Sequence, residues 1–504
     1  MNSVEPLLKK IAAYQPDADL TMVRLAFDFA RDAHGTQKRK SGEPYIIHPL
    51  KTAEILADMR LPLPIILAGL MHDVPEDTAI TLDDIKKNFG EDVASIVRGI
   101  TKLGKLKYRG IDRYVENLRK MFVAIASDAR VLLVKFADRL HNLQTLSALP
   151  PDKQKRIAIE SLEIYAPIAN RLGMSELCAR IEDLAFKYVM PEEYAWVAGL
   201  ITQAVKVKAS YIDKIGKLTE KILQKNGVQF IRVYGRVKHI YSLYRKLIKH
   251  ERNNSRVRDL IALRIIVPNI ADCYATLGMI HQQWKPFRGR IKDYIAQPKP
   301  NGYQSLHTTV FCEGGEVVEF QIRTEQMHEE AERGIAAHWH YNEDGKVSSA
   351  RMKSQLAWVK DLVEQQKNIK DNSAYLESLE TMKIDFFRNR IFVFTPQGDV
   401  IDLPESATPV DFAFAIHSQI GNSCTGARVN DHIVSLDHKL TSGDCCEIII
   451  DKNRKSPNSD WLSFVKTGAA RSHIRAANKD RFDTWSEKIK TVFGGSGGKK
   501  SGKK

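Results

Sequence analysis

The sequence predicts a multidomain chain: an all-α domain, then an α/β domain, a small β-rich unit and a closing helical segment. Three observations carry this reading. Domains run to roughly 100–200 residues, so a chain of 504 predicts three or four. Apolar residues recur at helical spacing as far as about residue 195. Beyond Val228 the texture changes to short β-branched runs, first alternating with helical stretches and later without them.

In the first region, helical periodicity is clearest over 23–30, 52–59, 92–100, 114–125 and 157–168. Ser41-Gly42, Pro62, Pro64 and Pro150-Pro151 punctuate it. A basic amphipathic helix over 196–226 ends near Asn226-Gly227. Strands are expected at 229–233, 260–267, 307–311 and 317–322, with helices at 240–250 and 271–284 between them. The predicted boundaries are 1–195 and 196–345 for the two large domains, and 346–387 for a polar helical connector. A β unit over 388–451 has runs at 390–395, 400–403 and 446–450, with a turn at Pro396-Gln397-Gly398-Asp399. A helical segment at 452–493 precedes a Gly/Ser/Lys tail at 494–504, whose composition predicts disorder.

Net charge is +15, which favours a polyanionic partner such as nucleotide phosphates or RNA over a merely solvated basic surface. The six cysteines (178, 273, 312, 424, 445, 446) form no C-x-x-C pair, which argues against a zinc site and a disulfide scaffold. No signal-peptide pattern opens the chain, and the expected setting is cytoplasmic. The longest apolar run, 61–71, contains two prolines and is about half a membrane span, so no membrane partner is expected.

Two constellations carry chemistry. In the helical region, His48, the pair His72-Asp73 and Asp138 make a mixed nitrogen and oxygen shell. Such a shell suits manganese, iron or zinc better than magnesium, and a metal there would activate water and polarise a phosphoryl oxygen. Glu76 and Asp77 follow His72 by one helical turn, where a carboxylate orients or deprotonates water. Arg39, Lys40 and Asn142 supply phosphate and base contacts. In the α/β region, Lys238, Ser242 and Lys246 share one helix face suited to a triphosphate, although a solvated basic helix reads the same way. Asp259 heads one strand and Glu319 lies in another, an arrangement that holds magnesium during phosphoryl transfer. Between them, Tyr303 suits stacking on a purine and His307 suits phosphate.

The segments Arg39-Lys40-Ser41-Gly42-Glu43-Pro44-Tyr45-Ile46-Ile47-His48-Pro49, His72-Asp73-Val74-Pro75-Glu76-Asp77-Thr78 and Asp138-Arg139-Leu140-His141-Asn142 resemble the HD hydrolase domain of the Rel/SpoT family. The resemblance implies manganese on His48, His72, Asp73 and Asp138, water activation by Glu76 and Asp77, and Arg39, Lys40 and Asn142 around the guanosine substrate. Pro75 departs from the family's usual aliphatic residue, removing a backbone donor beside Glu76. A second set resembles the family's synthetase domain, with its palm-like nucleotidyltransferase fold. It comprises Gly235-Arg236-Val237-Lys238, residues 294–309 around Asn301-Gly302-Tyr303-Gln304-Ser305-Leu306-His307, and Glu319-Phe320-Gln321-Ile322-Arg323. That implies transfer of the β,γ-pyrophosphate of ATP to the 3′-hydroxyl of GDP or GTP. Asp259 and Glu319 would hold magnesium, Arg236, Lys238, Ser242 and Lys246 would hold ATP, and Asn301, Tyr303, His307 and Gln321 the guanine nucleotide. Arg290-Ile291-Lys292-Asp293 resembles the basic signature of bifunctional members. Residues 390–450 resemble a β-grasp TGS domain, in which His417 would contact deacylated tRNA on the ribosome. No counterpart of the family's zinc-finger-like and ACT or RRM modules is expected within these residues.

The resemblance thus implies an enzyme that makes and hydrolyses ppGpp and pppGpp in the stringent response. The alternatives are a hydrolase-dominant enzyme and a ribosome- and tRNA-binding regulator with residual catalysis.

Overall fold

The computed structural model describes residues 3–104, 120–124, 126–252, 261–299, 301–340, 390–397, 399–441, 443–451, 453–454 and 456–478. The chain divides into two compact units, Met1–Asn368 and Ile369–Lys504. No described helix is long and apolar enough to cross a membrane.

The first unit opens with helices α1 (Glu5–Tyr14), α2 (Leu20–His34), α3 (Ile47–Asp58), α4 (Leu63–Met71), the single turn α5 (Val74–Asp77) and α6 (Leu82–Gly104). Helices α7 (Arg130–Gln144) and α8 (Pro151–Glu160) follow. A π-helical stretch, Ser161–Tyr165, links α8 to α9 (Ala166–Arg171), and α10 (Ser175–Val189) comes next. Helix α4 is the centre of this layer. All seven residues from Ile65 to Met71 are buried, as a helix that is apolar all round requires. Gly69 lets α3 approach, since a Cβ there would lie 2.5 Å from Leu56 Cδ1. The periodicity at 157–168 is real, but the π stretch interrupts it. The expected helix over 114–125 falls largely outside the described residues.

The predicted helix at 196–226 is longer at its front: α11 spans Pro191–Lys225, with Pro191 in its first turn, where no N–H is missed. Strands β1 (Arg232–Val237), β2 (Ile261–Val267), β3 (Lys285–Pro286), β4 (Lys292–Asp293), β5 (Leu306–Phe311) and β6 (Val317–Thr324) form one sheet in the order β1-β2-β6-β5-β3, with β4 paired to β5. The first strand lies further along than the expected 229–233, because the Gly235-Arg236-Val237 stretch is itself strand. The two-residue strands β3 and β4 carry no readable period. Helices α12 (Ile240–Lys249) and α13 (Ile270–Gln283) lie between strands, and α14 (Glu325–Arg333) and α15 (Ile335–His340) follow the sheet. Leu263, Ile265 and Val267 of β2 join Val318, Phe320 and Ile322 of β6 in the core on one face. The alternate residues therefore occupy the other face.

The second unit contains β7 (Arg390–Phe394) paired with β8 (Val400–Pro404), and β9 (Cys424–Val429) between β10 (His432–Val434) and β11 (Cys446–Ile450). Helices α16 (Pro409–Ile416) and α17 (Ser418–Ser423) separate the two sets. Thr408 and Asp411 form a capping box, and buried Asp411 also accepts from the backbone of Lys466 and Thr467 at 2.9 and 2.7 Å. That contact draws α18 (Gly468–Ala477) onto α16. The connector expected at 346–387, the expected helical residues beyond 478 and the tail lie outside the described residues.

Candidate active sites

His48 occupies the first turn of α3, His72 caps the end of α4, and Asp138 lies mid-way along α7. Packing of these three helices brings one ligand atom from each within 4.8 Å of the others. Asp73 borders the same point, with Oδ2 3.4 Å from His48 Nε2 and Oδ1 3.2 Å from His72 Nε2. Both imidazoles are oriented from behind. His72 Nδ1 lies 2.8 Å from the Gly69 carbonyl, which only accepts, so Nδ1 carries the proton. His48 Nδ1 lies 2.7 Å from Nδ1 of His141, which Arg39 Nη1 also approaches at 3.5 Å. Burial, then His48 and Arg39, push the His141 pKa down to about 3, so the ring is neutral, and the Arg39 guanidinium, which only donates, makes its Nδ1 the acceptor. His48 therefore donates through Nδ1 and presents Nε2 inward. His72 Nε2 is buried without a hydrogen-bond partner. Two imidazole nitrogens backed in this way, with carboxylates between them, fit a divalent cation. Without one, burial opposes the charged form of His72, yet the Asp73 and Asp138 carboxylates outweigh it and hold its pKa up to about 9.

Three further residues complete the centre, and sequence reading gave them no role. The Tyr45 hydroxyl lies 3.0 Å from Asp73 Oδ2 and 2.7 Å from Asp77 Oδ2, joining the two carboxylates with its one proton, and its ring stacks on His34. Lys135 Nζ donates to Asp138 Oδ2 at 2.8 Å. His141 backs His48. Helical spacing was the available signal: Tyr45 precedes His48 by three residues, and Lys135 and His141 flank Asp138 by three. Pro75 sits in the first turn of α5, where its missing N–H has no partner to lose. Amides of Glu76 and Asp77 bond to the Asp73 carbonyl at 3.1 and 3.0 Å, and burial raises the Glu76 pKa.

A cavity of about 1150 Å³ opens beside Asp138. Lys38, Arg39, Lys40 and Tyr45 line one side, while Lys135, Asn142, Lys155 and Arg156 of α7 and α8 line the other. Arg39 is anchored to Asn142 Oδ1 at 2.6 Å and Thr145 Oγ1 at 3.0 Å, and Asn142 donates to Asp138 Oδ1 at 2.5 Å. One chain of contacts thus links the cationic rim to the His48, His72 and Asp138 cluster.

The second constellation lies on the open face of the sheet. Strand register places Arg236, Ala262, Glu319 and Thr309 in one cross-strand row, and Tyr234, Arg264, Gln321 and His307 in the next. A cavity of about 300 Å³ there is lined by Arg236, Lys238, Lys246, Arg290, Lys292 and Lys299, with Glu319 the one carboxylate among its described lining residues. Gln321 donates to Glu319 Oε1 at 3.0 Å and lies 3.5 Å from Arg236 Nη1. His307 meets Glu319 Oε1 through Nδ1 at 3.2 Å and the Tyr303 hydroxyl through Nε2 at 2.8 Å. Burial lowers the pKa of Arg236 and His307. Lys299 lies over the rings of Tyr294 and Tyr303, and burial, then Lys292, bring its pKa down to about 8. This crowding of cations is what a polyphosphate relieves.

Not every expected residue lines that cavity. Ser242 and Tyr303 are outside its lining, and Asn301 instead donates to the Asn170 carbonyl of α9 at 3.3 Å. Asp259 lies outside the described residues. Asp293 holds the turn after β4, accepting from the amides of Ile295 and Ala296 at 2.9 and 2.8 Å. In the second unit, exposed His417 ends α16 and caps α17, its Nδ1 accepting from Gln419 N at 3.2 Å. The other edge of the ring is left to solvent.

Comparison with known proteins agrees with this division. Residues 26–175 match the HD domain, residues 235–346 the region found in RelA / SpoT proteins, and residues 391–450 the TGS domain. A GTP pyrophosphokinase of Myxococcus xanthus is 45% identical over 475 residues, 94% of this chain and 62% of that protein. A guanosine-3′,5′-bis(diphosphate) 3′-pyrophosphohydrolase of Aquifex aeolicus is 45% identical over 474 residues, covering 94% and 66%. The bifunctional (p)ppGpp synthase/hydrolase SpoT of Escherichia coli is 44% identical over 477 residues, covering 94% and 67%. The chain thus spans between three-fifths and two-thirds of the length of these relatives. Identity at this level across nearly the whole chain, on two sites that use the matched motifs, makes it a member of the RelA/SpoT family.

Proposed function

We propose that the chain is a bifunctional alarmone enzyme of the stringent response, working in the cytoplasm. One site transfers pyrophosphate from ATP to the 3′-hydroxyl of GDP or GTP. The other removes that pyrophosphate from ppGpp or pppGpp. The observation that carries this reading is the presence of two separate cavities of opposite design in the first unit. One adjoins the His48, His72 and Asp138 cluster, and the other sets Glu319 among six cationic side chains.

At the hydrolytic site, His48, His72, Asp73 and Asp138 would hold a divalent cation; the mixed nitrogen and oxygen donors suit manganese, iron or zinc, and the family resemblance makes manganese our assignment. The chemistry supplied there is polarisation of the phosphoryl oxygen and activation of water. Glu76 and Asp77 orient or accept the proton of the attacking water, and burial makes Glu76 the better base of a raised pKa. Arg39, Lys40 and Asn142 hold the nucleotide at the rim. At the synthetic site, Arg236, Lys238 and Lys246 neutralise the triphosphate, with Ser242 on the same helix. Glu319, with Asp259, is assigned to magnesium. His307 and Gln321 bond to the Glu319 carboxylate and line the cavity, and we assign them to the guanine nucleotide together with Tyr303, which bonds to His307, and Asn301, both outside the lining. For the second unit, we assign a role in reading deacylated tRNA on the ribosome through the exposed edge of His417.

A paired assay on the purified protein tests the reading: ATP plus GDP with magnesium, and ppGpp with manganese. Product in both supports two working sites. Hydrolysis alone would make the protein a hydrolase-dominant member, and neither activity would leave a binding regulator.

A further inference from the structure

Helix α12 carries Ser242 and Lys246, yet its apolar face does not close on the sheet core. Leu243 and Leu247, at 0% and 1% exposure, form a separate cluster with Val197, joined by Trp196, Leu200 and Ile201 of α11. Phe186 of α10 packs against the rings of Tyr241 and Tyr244 at 5.1 and 4.8 Å. The start of α12 also lacks a cap of its own: His239 stands at the N-cap position and makes no side-chain bond to the helix amides. That task falls to a residue far away in sequence. Asp183 of α10 accepts from the Tyr241 amide through Oδ1 at 2.9 Å and meets the His239 ring through Oδ2 at 3.2 Å. Its neighbour Glu182 lies 3.5 Å from Arg245 of the same helix.

We propose that Asp183, on a helix of the all-α half, is a positioning residue for the pyrophosphate-transfer site, capping the helix that brings Lys246 to the nucleotide cavity. The proposal rests on the reading of that cavity as the ATP site. A carboxylate at an N-cap satisfies an orphan amide and complements the helix dipole. Here it also sets where α12 starts, and hence how Lys246 stands relative to Arg236 and Glu319 on the sheet. Asp183 touches neither nucleotide nor reacting atoms. Its effect therefore belongs in nucleotide affinity rather than in turnover.

The test compares the parent with Asp183→Ala and Asp183→Asn. The alanine variant should raise the KM for ATP about tenfold, the equivalent of about 1.4 kcal/mol and typical of a lost cap. Its kcat for synthesis should stay within about twofold, and ppGpp hydrolysis should be unchanged. Asparagine keeps an acceptor oxygen for the Tyr241 amide and should restore most of the affinity. Amide hydrogen exchange at the first turn of α12 should speed up in the alanine variant and not in the asparagine one. A purely structural role would instead lower both activities and the melting temperature together. Parent-like KM in the alanine variant, or unchanged exchange, overturns the proposal. If the parent makes no product, the functional reading fails by itself. Exchange, with titration of magnesium and a non-hydrolysable ATP analogue, then decides the role of Asp183. Should the alanine variant not fold, Asp183→Glu displaces the carboxylate by one methylene and carries the same comparison.

Discussion

Tyr45→Phe isolates one hydrogen-bond donor at the metal-ligand cluster. The ring stays, so its stack on His34, with centroids 4.5 Å apart, should hold and the fold should be kept. What is lost is the hydroxyl between Asp73 Oδ2 and Asp77 Oδ2. One proton serves one carboxylate at a time, so one charged hydrogen bond is removed, worth about 1.5–3 kcal/mol. Partners of metal ligands typically change metal affinity or activity about 10–100-fold, which agrees with that figure. We therefore expect manganese to bind metal-stripped Tyr45→Phe about 10–100-fold more weakly than the parent, with a comparable loss of ppGpp hydrolysis at limiting metal. Calorimetric manganese titration and a hydrolysis assay at two metal concentrations read both quantities. ATP-dependent synthesis is the control and should not change. Parent-like metal affinity, or an equal loss of synthesis, would mean that the Tyr45 hydroxyl does not support the carboxylates.

His72→Ala and Asp73→Ala should each abolish ppGpp hydrolysis while synthesis survives, and a variant hydrolysing at the parent rate would remove the metal from this account. Stability of the metal-free protein should fall as pH rises. The folded pKa of His72, about 9, exceeds its unfolded value of about 6.5, so its contribution is complete below pH 6.5 and is lost through pH 9. The loss is on the order of 3 kcal/mol in chemical denaturation with chelator, and manganese should abolish the trend by replacing the proton. A flat profile with chelator would contradict it. Finally, we expect the two sites to be coupled. The turn at 172–174 meets Gly334, where a Cβ would lie 2.2 Å from the Leu172 carbonyl oxygen, while Asn301 bonds to Asn170 just before it. A non-hydrolysable ATP analogue should weaken ppGpp binding by about 5–150-fold, measured by calorimetry in Glu76→Gln/Tyr303→Ala, and identical affinities would show independent sites.

The order of helical, α/β and β-rich regions was legible in the residues alone, because period and turn chemistry are local properties. The sequence also singled out His48, His72, Asp73 and Asp138, which the fold brings to one point. What it could not give was proximity between residues far apart in the chain. His141 backs His48 across 93 positions, and Tyr45 reaches Asp73 and Asp77, both through the packing of helices. Nor did helix α12 show in its own residues what holds its first turn. A helix amide can be satisfied by any acceptor that packing brings within reach, and here the acceptor is Asp183, 58 residues upstream of Tyr241.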